Sequence, residues 1–158
     1  MRYKVVPEAR SVAFLREARA AVPLVPGTVE DCCARIRDRT AVQSRDEARA
    51  YLTLLEALDL VAADERGYYR TRETHDDAAL AAAFRERVFG ARELLAAMAD
   101  GPLTPPAAFE RLRESIPRWE RHHHTDWEAE WRERTRRLLD WLVAFGLAER
   151  DGDRYRAA

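Results

Sequence analysis

Residues 44–72 read SRDEARAYLTLLEALDLVAADERGYYRTR, a polar helix start, an apolar helical stripe and a short hairpin in immediate succession. Ala48, Leu52, Leu55 and Leu58 recur at spacings of four and three, which puts them on one helix face. Leu60-Val61 enters an extended run, and Asp64-Glu65-Arg66-Gly67 is a turn cluster. Tyr68-Tyr69-Arg70-Thr71 returns as a strand, because aromatic and β-branched residues suit a pleated, half-buried surface.

The chain repeats this pattern. Residues 135–156, TRRLLDWLVAFGLAERDGDRYR, place Leu139, Leu142 and Phe145 where Leu52, Leu55 and Leu58 stand. Gly146-Leu147-Ala148 replaces Asp59-Leu60-Val61, and Asp151-Gly152-Asp153 is the turn. Tyr155-Arg156 aligns with Tyr69-Arg70 if the second ribbon is one residue shorter. A weaker echo lies upstream, where Gly27-Thr28, Cys33 and Ile36 parallel Leu103-Thr104, Phe109 and Leu112. Two copies indicate a duplicated domain rather than a solenoid.

Around these anchors the elements fall in order. Residues 1–6 alternate loosely as a short strand, and residues 8–22 read as a helix with Val12, Leu15 and Val22 on one side. Pro23, Pro26 and Gly27 break the chain before Thr28, which caps a helix presenting Val29, Cys32, Cys33 and Ile36. Ser44 caps the next helix. Helix, helix, turn, helix, ribbon is the order of a winged helix. The predicted boundary lies in the polar stretch 73–77, giving domains at 1–75 and 76–158 of about 75 residues each. In the second, residues 78–89 form a linker helix, residues 91–99 continue helical past Gly90, and Thr104 caps a helix carrying Ala108, Phe109, Leu112 and Ile116. Pro117 ends it. Residues 117–126 are an insertion, and Asp126 opens a long helix to Phe145. The predicted fold is mainly α with small β-ribbons, as two tandem winged-helix domains.

Charge is balanced: 27 basic and 28 acidic side chains give a formal net charge of −1, and the sequence pI is near 6.4. No strongly basic domain announces a polyanionic partner. Lys4 is the only lysine and asparagine is absent, so the arginine abundance reflects coding bias as much as selection. Adjacent Cys32 and Cys33 cannot form an ordinary disulfide together, and without other cysteines a reducing cytoplasm is expected. No membrane span or signal peptide is predicted.

In a helix-turn-helix the third helix lies in the major groove, its exposed N-terminal residues at base edges. That arrangement exposes Arg45, Asp46, Arg49, Ala50 and Thr53 in the first copy, and Arg132, Glu133, Arg136, Arg137 and Asp140 in the second. Arg66, Arg70 and Arg72 on the first ribbon, and Arg150 and Arg154 on the second, are candidates for phosphates. Asp46, Glu47, Glu56 and Asp59 oppose this on the first helix, as do Asp126, Glu128, Glu130, Glu133 and Asp140 on the second. The most basic run is N-terminal, with Arg2, Lys4, Arg10, Arg16 and Arg19, and is a candidate auxiliary arm.

Other chemistry is poorly supported. His122-His123-His124, with Glu120 and Asp126, suggests zinc, but further ligands on a fixed element are missing, so no metal and no cofactor are predicted. Trp119, Trp127, Trp131 and Trp141 suit core filling better than a ligand pocket or dimer interface. There is no Gly-rich phosphate loop, HExxH or GxSxG, and Cys32-Cys33 on an amphipathic helix behaves as buried hydrophobe, so no enzyme is predicted.

Ser44, Leu52, Leu55, Asp59-Leu60-Val61 and Tyr68-Tyr69-Arg70, with Leu139, Leu142, Gly146-Leu147-Ala148 and Tyr155-Arg156, resemble winged-helix regulators of the arsenical-repressor and multiple-antibiotic-resistance types. The similarity covers about a third of the chain. It implies a transcriptional regulator binding double-stranded DNA, and a homodimer. Two departures, Asp59 in place of the usual glycine and the acidic third helices, match the other use of tandem winged helices, as protein-binding scaffolds. A protein partner on the same surfaces is therefore the alternative. Arginines gathered on one face favour DNA; arginines paired along a helix with acids favour protein.

Overall fold

In a computed structural model, residues 3–123 and 125–158 are described. The chain forms two compact units, Met1–Val88 and Phe89–Ala158.

In the first unit, α1 (Val12–Ala21) begins later than the sequence predicts, because Ser11 supplies the cap, its hydroxyl accepting from Phe14 N. The predicted strand at the N-terminus reduces to one bridge, Tyr3 beside Val88, with Tyr3 N donating to Arg87 O at 2.7 Å. Met1 and Arg2 lie outside the described residues. α2 (Val29–Arg39) starts at Thr28, whose hydroxyl accepts from Asp31 N, and α3 (Arg45–Ala57) starts at Ser44, which accepts from Glu47 N. Leu15, Ile36, Leu52, Leu55 and Leu58 are fully buried between these helices, as the leucine spacing requires.

α3 ends on Asp59, which takes a left-handed φ of 64°, the conformation that lets the chain turn sharply into a strand. Gly146 does the same in the second unit with φ 75°. β1 (Val61–Asp64) and β2 (Gly67–Arg70) then form an antiparallel ribbon with Ala62 opposite Tyr69 and Ala63 opposite Tyr68. The Asp64 carboxylate accepts from Arg66 N at 2.7 Å and shapes the turn. A strap, residues 23–27, lies along the far side of β2: Gly27 and Tyr68 exchange two backbone hydrogen bonds of 2.8 Å, and Arg70 N donates to Pro23 O. α4 (Asp77–Arg87), capped by Asp76, belongs to this unit and buries Leu80, Ala81 and Phe84.

The second unit contains α5 (Ala91–Met98), α6 (Pro105–Arg113), α7 (Arg118–His123), α8 (Trp127–Ala144), β3 (Ala148–Asp151) and β4 (Arg154–Ala157). Gly90 enters α5 with φ 96°, and Thr104 caps α6, whose prolines occupy first-turn positions that have no helical acceptor to lose. The predicted insertion is mostly the short helix α7. Leu103 bridges Tyr155 as Gly27 bridges Tyr68, so this ribbon carries its strap on the same side. Trp131 and Trp141 are buried with Phe109, Leu138, Leu139 and Leu142, whereas Trp119 is 53% exposed.

One register expectation is corrected. The two ribbons are equal in length, and Tyr155, opposite Arg150, holds the place of Tyr68, opposite Ala63. Arg156 therefore stands where Tyr69 does. Both tyrosines bond their strap through the backbone, and this constraint fixes the phase of each ribbon.

Candidate nucleic-acid interface

The third helices do not present their arginines freely. Arg45, at the first turn of α3, forms a bidentate pair with Glu30 at the start of α2, with Nε 2.9 and 3.0 Å from the two carboxylate oxygens. That bond holds the Glu30 carboxyl below its ordinary range. Arg49 leans on the ribbon: its guanidinium sits 5.4 Å from the centre of the Tyr68 ring and donates to the Tyr68 hydroxyl at 3.1 Å. Thr53 donates its hydroxyl to Arg49 O, one turn back in its own helix. The exposed stripe of α3 is left with Asp46 and Glu47, and Glu56 lies half-buried further along.

α8 is more thoroughly self-paired. Arg132 lies 3.8 Å from Glu128 and 3.9 Å from Glu110, Arg134 lies 2.6 Å from Glu130, and Arg137 lies 3.4 Å from Glu133. Arg136 reaches Glu133 at 2.5 Å and Asp140 at 3.3 Å. Within α8 these pairs fall at the i, i+3 and i, i+4 spacings that bring charges together along one helix.

The wing tyrosine of this unit is held by the same helix with different chemistry. Tyr155 donates its hydroxyl to Asp140, and the Arg150 guanidinium covers its ring at 5.3 Å. Burial and the adjacent Asp140 carboxylate push the Tyr155 hydroxyl up to about 12. Arg150 also donates to Gly152 O at 2.9 Å, and the Arg154 side chain has no hydrogen bond or ion pair with the described residues.

The first wing differs. Arg66, Arg70 and Arg72 line one open cleft of about 310 Å³ with Tyr69, Leu24 and Pro26, and Asp64 is its only acid among the described residues. Arg66 meets Asp64 at 3.3 Å while remaining 77% exposed; the Arg70 guanidinium donates, among the described residues, only to Ala20 O, at 3.4 Å; the Arg72 side chain is exposed and has no partner among the described residues. The end of α1 extends this basic surface. Arg19 donates to the carbonyls of Thr71 and Glu73, just past β2. Burial first, and then the like charges of Arg70 and Arg16, lower the Arg19 pKa. Arg16 pairs with Asp77 at 2.6 Å. Composition does not reveal this meeting of α1 with the wing, since Arg19 and Arg70 are far apart in the chain; the basic run of residues 2–19 is its only sequence signal.

The remaining candidates are simpler. Cys32 and Cys33 are both buried, and burial pushes both thiols up, away from the thiolate that reactive cysteines need. His122 is exposed; the side chains of His123 and His124 lie outside the described residues, and no group of three or more potential metal ligands occurs among the described ones. No described helix is long and apolar enough to cross a membrane.

Two successive units of three core helices and a strapped β-ribbon make this a tandem winged-helix protein. The chain belongs to the halobacterial double winged helix domain family, whose model matches residues 1–158. Neither a curated protein nor a solved structure gives a match.

Proposed function

We propose that the protein is a non-enzymatic, DNA-binding regulator that meets duplex DNA chiefly through its first wing. The observation that carries this reading is the crowding of Arg16, Arg19 and Arg70, with Arg66 and Arg72 on the same ribbon, where facing acids are few. Like charges held together are unfavourable in the free protein, and phosphates would relieve them while counterions are released. The resemblance of the ribbons to winged-helix regulators supports the same class. In this reading Arg66, Arg70 and Arg72 contact phosphates. Arg45, Arg49, Thr53, Arg132, Arg136, Arg137, Arg150 and Arg154 are secondary, since all but Arg154 have partners within the protein.

The internal pairing along α8 favours a second reading, in which that helix faces a protein partner. Fluorescence anisotropy against mixed-sequence duplex DNA, titrated at several salt concentrations, separates the two. For wing-led binding, replacing Arg66, Arg70 and Arg72 by glutamine lowers affinity. It also reduces the slope of log K on log salt by up to about 0.9 for each phosphate that is no longer neutralised. Glutamine at Arg132, Arg136 and Arg137 leaves both nearly unchanged. Absence of binding at low salt would remove the DNA reading and leave the scaffold.

A further inference from the structure

The connection from β2 to α4, residues 71–76, runs past the second half of α1 and is stapled there by two arginines. Arg16 Nη1 donates to His75 O at 3.0 Å, and its Nη2 pairs with Asp77 at 2.6 Å. Arg19 Nη2 donates to Thr71 O and, at 3.3 Å, to Glu73 O. A cavity of about 100 Å³ lies among these groups, lined by Arg16, Arg19, Leu60, Glu73, Thr74 and His75. Two nitrogens of the lining residues, Arg19 Nε and His75 Nε2, are buried and have no hydrogen-bond partner among the described residues. The carbonyls on Arg19 meet Nη2 and leave Nε–H unsatisfied. A buried donor without an acceptor costs about 1–3 kcal/mol, so this cavity calls for an acceptor.

Charge and size define that acceptor. Burial and the like charges of Arg70 and Arg16 act on Arg19, and no carboxylate is among the charges that offset them. Glu73, the one acid lining the cavity, gives Arg19 its carbonyl and is itself exposed. The Asp77 side chain, paired with Arg16, is 77% exposed. A neutral acceptor would satisfy the two nitrogens and leave the charge uncompensated, whereas an oxyanion does both. The volume is several times the ~30 Å³ share of one water, yet well below the ~300 Å³ at which pockets take drug-sized molecules. It suits one tetrahedral group.

We propose that Arg16, Arg19 and His75 form a site for a single phosphate group, with Arg19 Nε and His75 Nε2 as its donors. Arg16 supplies charge from its place on the same helix face, and the His75 ring carries a proton on Nε2 when the site is filled. A free phosphate ion and a phosphate of a nucleic-acid backbone share this chemistry, and the test separates them. The site stands without the DNA reading; only the second source rests on it.

The probe is inorganic phosphate, titrated into the full chain by calorimetry with ionic strength held constant by sodium chloride. Saturable one-site binding is expected. His75→Ala removes one donor and should weaken it about tenfold or more, whereas His75→Gln restores an N–H near the place of Nε2 and should recover most of the loss. Neither change touches the His75 carbonyl that holds Arg16, so both variants should keep the circular dichroism of the unaltered protein. Anisotropy with a labelled duplex, run in parallel, identifies the source. If the phosphate belongs to a nucleic-acid backbone, inorganic phosphate competes with the duplex at constant ionic strength and His75→Ala weakens the duplex as well. If the free ion is the ligand, duplex binding is indifferent to both. No saturable phosphate binding, together with duplex affinity unchanged in His75→Ala, would overturn the site. Loss of phosphate in both His75 variants, or in neither, would overturn it too, by removing the Nε2 donor from the binding. Salt-dependent duplex binding by the arginine-bearing wing would survive either result, so failure of the site and failure of the DNA reading are distinct.

Discussion

Gly67 offers a direct test of how the first wing is held. Its φ is +136°, and a Cβ added there would lie 2.1 Å from Gly27 O and 2.7 Å from Gly27 C, both backbone atoms of the strap. Neither can move without breaking the two 2.8 Å bonds between Gly27 and Tyr68. Gly101, in the second unit, has nearly the same φ of +140° but has nothing within 4 Å of the added carbon. Alanine at either site carries the conformational cost of about 1–2 kcal/mol. Gly67→Ala adds the loss of two backbone hydrogen bonds at roughly 1 kcal/mol each, so it should cost ~3–4 kcal/mol in all. Urea denaturation resolves the two sites because Trp119, Trp127, Trp131 and Trp141 all lie in the second unit. Gly101→Ala should move the tryptophan fluorescence transition. Gly67→Ala should move the circular dichroism transition of the first unit by about 2 M or more. Equal costs for the two substitutions would refute the close docking of wing on strap.

Three further perturbations follow the same logic. At the helix-to-ribbon step, Gly146→Ala should destabilise the second unit by about 1 kcal/mol. Asp59→Gly should be neutral to about 1 kcal/mol stabilising, because relief of its φ of 64° is partly offset by losing the exposed pair with Arg87; thermal melts check both. The raised Tyr155 pKa makes an alkaline prediction. The unfolded tyrosine ionises near 10 and the folded one near 12, so its stabilising contribution is complete below pH 10 and falls as pH rises from 10 to 12. Tryptophan-detected urea midpoints should drop by an amount equivalent to about 1 kcal/mol between pH 9 and 11, and Tyr155→Phe should flatten that drop; the other four tyrosines, both cysteines and Lys4 all lie in the first unit, which carries no tryptophan. On the DNA reading, Glu30→Gln frees Arg45 and should raise duplex affinity at low salt, whereas unchanged affinity would place Arg45 outside the contact surface.

Much of the fold is legible in the sequence because it depends on local rules. The leucine spacing of α3 and α8 and the hydroxyl caps at Thr28, Ser44 and Thr104 all act within a few residues of themselves. Features that depend on distant partners are ambiguous or invisible there. Tyr68-Tyr69 offers two equivalent aromatics for one place in the repeat, and only the strap at Gly27 selects Tyr68. Residues 8–11 have helical composition, but Tyr51 OH donates to Glu8 O and Arg10 donates to Tyr51 OH, holding them as an extended approach to α1. The pairing of Arg45 with Glu30 joins two helices across a turn, so no periodicity within either helix reveals it.

The two units solve one mechanical problem with opposite charges, and the consequence bears on function. Each must anchor a wing tyrosine to its third helix, since a two-stranded ribbon is marginally stable alone. The first unit uses Arg49 from above the ring; the second uses Asp140 through the hydroxyl, and Asp140 also engages Arg136. Arg49 and Arg136 occupy equivalent turns of the repeat, so in both copies the central arginine of the third helix is committed inside its own unit. Base reading by these helices would first have to break those interactions and expose a buried or half-buried tyrosine. Phosphate contact by Arg66, Arg70 and Arg72 requires no such rearrangement. A duplex bound this way would be gripped with high salt sensitivity and weak preference for sequence at the third helix, so selection from a random duplex pool should return a loose consensus. A sharp guanine motif that disappears in Arg49→Ala would instead show that the helix abandons Tyr68 when DNA arrives.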